Sequence, residues 1–85
     1  MRLSLDEAST GCIGADLVKG LRRVGYEATR QKGDHVYMTT QLRGEHHVAV
    51  PLHNPIKVGT FAGILAAVAN HLGIERDALL REMKI

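Results

Sequence analysis

The stretch KGDHVYM, residues 32–38, sets a histidine beside an acid at the start of an alternating run. His35 is the residue best suited to chemistry. A neutral imidazole accepts and returns a proton near pH 7 without special tuning. RNA carries its own nucleophile, the 2′-hydroxyl, and a histidine that removes that proton drives attack on the adjacent phosphorus. One well-placed base is worth about 10²–10⁴-fold in rate. The competing reading of His35 is an ordinary polar residue at a strand start. Asp34 also has two readings. Its carboxylate accepts a backbone hydrogen bond in the turn after Gly33, or it lies near the imidazole, favours the protonated ring and repels an incoming phosphate.

The remaining histidines are His46, His47, His53 and His71. Consecutive strand residues point to opposite faces, so His46 and His47 cannot chelate one ion. With a single cysteine, Cys12, and no metal-spaced motif, a zinc site is not expected. His71 sits near a helix end, where a cation is favourable, and reads as structural. Arg30, Lys32 and Lys57 are the cations expected to gather near His35, the alternative being a plain solvated surface. The start of the last long helix, near Gly59 and Thr60, offers free amides to a phosphate. The chain has no phosphate-binding glycine loop, nucleophile elbow or paired-carboxylate site, and no cofactor is expected.

These residues need elements to position them. Leu17, Val18, Leu21 and Val24 share one helix face, which predicts a helix over 14–24 ended by Gly25. YEATRQK alternates and predicts a strand over 26–31. HVYMTTQLRGEHHVAVP predicts a β-hairpin, and its register can be chosen on physical grounds. A three-residue loop, Leu42-Arg43-Gly44, pairs Met38 with Val48 and Val36 with Val50. It collects these aliphatic residues on one side and leaves His35, Tyr37, Thr39, His47 and Ala49 on the other. In that register Pro51 lies opposite His35, so His53 can approach the same sheet end. Phe61, Ile64, Leu65, Val68 and Leu72 define a second helix, with Thr60 as N-cap and Gly73 as stop. ERDALLREM predicts a short third helix over 75–83. The apolar helical residues read as core. The expected fold is an α+β sandwich, α-β-β-β-α with a short extra helix, in which two helices cover one sheet face and leave the other open. This is the shape of a double-stranded-RNA-binding domain.

The 85 residues suit one domain, 13–85, behind a loosely attached arm at 1–12. A net charge of +2 permits a nucleic-acid partner without demanding one. No apolar run approaches the about 18 residues of a membrane span, and the first residues lack the apolar core of a signal peptide. The lone cysteine suits a reducing cytoplasm.

GADLVKGLRRVGYEATRQKGDH, VAVPLH and KVGTFAGILAAVANHLGI, in this order and spacing, resemble the HicA family of mRNA-interferase toxins from type II toxin–antitoxin pairs. The likeness runs from about Ile13 to Ile74. It implies a metal-independent endoribonuclease with His35 as the catalytic base. RNA would be held by Arg30, Lys32, Lys57 and His53. It also implies a HicB-type antitoxin partner covering the site. Tyr37, Thr39 and His47 on the open face are the expected antitoxin contacts. Asp34 stands where the family usually has serine, which would weaken the toxin or tune it. A non-catalytic RNA-binding domain of the same fold is the alternative, and a protein-binding adaptor a third. Cleavage of RNA in EDTA separates the first from the others, and salt-dependent RNA affinity separates the second from the third.

Overall fold

The computed structural model describes residues 13–53 and 55–85. The proposed arm at 1–12, with Cys12, lies outside them. The elements run α1 (Gly14–Arg23), β1 (Glu27–Lys32), β2 (His35–Thr40), β3 (His46–Pro51), α2 (Val58–Leu72) and α3 (Arg76–Met83). The strands form one antiparallel sheet in the order β1-β2-β3. The fold is the α-β-β-β-α arrangement of double-stranded-RNA-binding domains plus a C-terminal helix.

The β2–β3 register is the expected one. Val36 faces Val50 and Met38 faces Val48, and all four are buried with Leu17, Leu21, Leu65 and Val68 in one core. The strands stop at Thr40 and His46, so the connection is 41–45 rather than the expected 42–44. The pairing is unchanged. Buried Thr40 accepts a hydrogen bond from the Leu42 amide, and the Gly44 amide donates to the Gln41 carbonyl. These bonds turn the chain before Gln41 and Glu45 can pair.

Three expectations need correction. The first strand begins at Glu27, not at residue 26. Tyr26 is a fully buried core residue, because Gly25 takes φ +104° and turns the chain so that the ring enters the core. The first strand is also exposed along its whole length. Ala28 and Gln31 share the side of Met38 and Val36, yet both stay exposed on this edge strand. Thr60 is not the N-cap of α2. That position is Lys57, without a side-chain cap bond. Ile56 precedes the cap and Phe61 follows it at the spacing of a hydrophobic staple, and both join the core. Apolar burial sets the helix entry here.

Candidate active site

The link between β1 and β2 is Gly33-Asp34, a two-residue loop closed by the Lys32–His35 pair. Gly33 adopts φ +60°, the left-handed value that a type II′ hairpin turn requires at its first central residue. Asp34 is therefore a turn residue, and strand alternation does not direct its side chain. His35, the first residue of β2, opens onto the uncovered face opposite Pro51.

Backbone bonds bring the chain after β3 to the same place. The Leu52 amide donates to the Asp34 carbonyl at 2.6 Å, and the Gly14 amide donates to the His53 carbonyl at 3.1 Å. Gly14 sits so close that a Cβ there would lie 2.6 Å from the Pro51 carbonyl oxygen. A glycine at the start of α1 thus lets the helix clamp the segment that carries His53.

The Asp34 carboxylate joins two imidazoles. Oδ1 lies 3.0 Å from Nδ1 of His35, and Oδ2 lies 3.2 Å from Nε2 of His53. The two rings are edge-on with centroids 6.4 Å apart. Desolvation acts to raise the Asp34 pKa. A backbone hydrogen bond, the bond from His53 and the charges of His35 and His53 outweigh it, so the carboxyl lies below its ordinary range. Both rings keep about half of their side-chain surface exposed, 47% for His35 and 50% for His53. They border a cleft of about 330 Å³ that is also lined by Ala49, Pro51, Lys57 and Thr60. The start of α2 has no side-chain cap, so its first-turn amides lack intrahelical partners beside this cleft. Two imidazoles, a cation and the start of a helix therefore border one space.

The other sequence candidates lie along the open sheet face. Lys32 pairs directly with His35 across the strands. Arg30 lies further along the same face, its guanidinium carbon 4.9 Å from the centre of the Tyr37 ring. A bulge makes this possible. The register shifts between Ala28 and Arg30, leaving Thr29 to bond the Tyr37 carbonyl and the Thr39 hydroxyl. Without the extra residue, Arg30 and Lys32 would face the opposite side. Thr39 bonds Nδ1 of His47 at 2.8 Å, and His47 Nε2 bonds Glu45 at 2.6 Å. Thr39 and His47 thus belong to a polar ladder on the open sheet, away from the cleft.

Sequence reasoning missed a second histidine group on the covered side. The Tyr26 hydroxyl bonds Nδ1 of His46 at 2.7 Å. His46 stacks on His71 at 4.4 Å and 12°. His71 Nε2 donates to the carbonyls of Leu42 and Gly44. Burial, followed by the charges of His71 and His47, pushes the His46 pKa below its ordinary value. Burial also raises that of Tyr26. This group ties the hairpin loop to the end of α2. Thr40 lies opposite His46 in the expected register and points inward, a signal that could have placed His46 on the covered side.

The fold and the cleft define a small α+β domain of the double-stranded-RNA-binding type with a histidine-lined site at one sheet end. The chain belongs to the HicA toxin family of bacterial toxin–antitoxin systems, whose family model matches residues 14–73. The match covers the sheet, α1, α2 and every cleft residue named above. Membership implies an antitoxin partner. Comparisons with curated proteins and with solved structures find no match.

Proposed function

We propose that this toxin is an endoribonuclease that cleaves mRNA in the cytoplasm without a metal, with His35 as general base. The observation that carries this reading is the setting of His35. Its Nδ1 is held by Asp34, so its Nε2 can receive the 2′-hydroxyl proton of an RNA strand lying over the open face. Lys57 and the first amides of α2 are the groups to receive the phosphate. Lys32 and Arg30 extend the same basic strip along the neighbouring strand. The nucleophile belongs to the substrate, so proton removal and charge stabilisation are the tasks left to the protein. The partner in this reading is a HicB-type antitoxin that covers the open face around Tyr37, Thr39 and His47 and masks His35. Cleavage of RNA in EDTA by the wild type, lost in His35→Ala, is the expected result. Equal cleavage by the two proteins rejects the assignment.

A further inference from the structure

Building on the ribonuclease reading, we infer that His53 is a second catalytic residue, the general acid that protonates the 5′-oxygen leaving group, and that Asp34 positions it against His35.

The argument starts from the carboxylate. Its two oxygens hold one nitrogen of each ring, Nδ1 of His35 and Nε2 of His53. The nitrogens left over, Nε2 of His35 and Nδ1 of His53, are those available to a ligand. An ionised Asp34 accepts a hydrogen from each ring. Neutral His35 then carries its proton on Nδ1 and presents a lone pair at Nε2. Protonated His53 presents an N–H at Nδ1. In this assignment the carboxylate orients both rings, with His35 as the acceptor and His53 as the donor. The rings lie edge-on with centroids 6.4 Å apart and both line the cleft, so each imidazole can address a different oxygen of a phosphate held there. Lys57 and Thr60 complete the lining of the cleft.

The step balances within the site. His35 Nε2 takes the proton of the 2′-hydroxyl as the 2′-oxygen forms a bond to phosphorus. The bond from phosphorus to the 5′-oxygen breaks, and that oxygen takes the proton from His53 Nδ1. The products are a 2′,3′-cyclic phosphate and a 5′-hydroxyl. Proton exchange with water restores neutral His35 and protonated His53. No oxidant, reductant or further reactant is needed.

The test uses the full-length protein and an RNA whose cleavage position has been mapped, prepared also with sulfur in place of the bridging 5′-oxygen there. A thiolate leaves without being protonated. His53→Ala and His53→Gln are expected to slow cleavage of the oxygen substrate about 100-fold or more, and to leave the sulfur substrate nearly unaffected. Asp34→Asn, whose amide cannot accept from both rings, should slow both substrates through His35, and the oxygen substrate more than the sulfur substrate through His53. Equal losses on both substrates with the His53 variants overturn the acid assignment alone. Equal losses with Asp34→Asn overturn the positioning role. His35→Ala should slow both substrates. A wild type that cleaves neither substrate overturns the ribonuclease reading and this inference with it.

Discussion

His35→Ala and Met38→Ala change two residues of the same strand, three positions apart, and the structure predicts opposite consequences. The His35 side chain is 47% exposed and its truncation opens no core space. A surface change of this kind shifts stability by about 0.5 kcal/mol or less, or about 2–4 °C in melting temperature for a domain of this size. Met38 is 0% exposed at the centre of the core. Its truncation costs about 2–5 kcal/mol in lost burial and cavity formation. That is a large share of the roughly 4–13 kcal/mol expected at 0.05–0.15 kcal/mol per residue. Activity should show the reverse order. Loss of the base slows RNA cleavage about 10²–10⁴-fold, equivalent to about 2.7–5.5 kcal/mol in the barrier. Met38→Ala should keep its rate per folded molecule. Thermal unfolding followed by circular dichroism and cleavage of a labelled RNA in EDTA measure the two quantities. A collapse in the melting temperature of His35→Ala would refute its place on the open face, and undiminished cleavage would refute its role as base.

Lys32→Ala and Lys57→Ala should weaken RNA binding across sequences, each lowering the log–log salt slope by about 0.7 on single strands; unchanged slopes remove these lysines from the site. Tyr37 is half-buried beneath the Arg30 guanidinium on the open face, so Tyr37→Asp should weaken antitoxin binding in a calorimetric titration while the free domain keeps its melting temperature. Unaltered affinity places the antitoxin elsewhere. His46 is held below its ordinary value of 6.5 by burial and by the charges of His71 and His47. The unfolded chain therefore binds more protons as pH falls below 6.5, and the stability contributed by neutral His46 is full above that pH and lost on acidification. Melting temperatures measured from pH 7.5 to 5 should fall more steeply for wild type than for His46→Asn, and parallel curves reject the link.

The hairpin was the most legible part of the chain. A period of two leaves one register that buries Val36, Met38, Val48 and Val50 together, and the fold uses it. The helical stripes of α1 and α2 were legible for the same reason. What the pattern did not carry was burial set by the far side of the molecule. Gln31 stays exposed because it lies on an edge strand that is exposed along its whole length, and Tyr26 is buried because Gly25 redirects the chain. The bulge at Thr29 had no glycine or proline to mark it, yet it decides which way Arg30 and Lys32 face.

The site itself was half legible, and the missing half has a definite physical origin. The register places Pro51 opposite His35, so His53 was within reach of the same sheet end from the pairing alone. Strand alternation alone would send Asp34 away from His35, but β2 begins at His35 and Asp34 is still in the turn, so the carboxylate lies beside the imidazole as the second reading of Asp34 expected. Freed from the pleat, the carboxylate lies between two rings that sit 18 residues apart in sequence. A serine at this position would offer one uncharged oxygen and could not give each imidazole its own anionic acceptor. The two histidines are therefore coupled through Asp34. In the proposed mechanism Asp34 acts on how protons are held at His35 and His53. Repulsion of substrate by the added charge is opposed by Lys57 in the same cleft and by Lys32 on the adjoining strand.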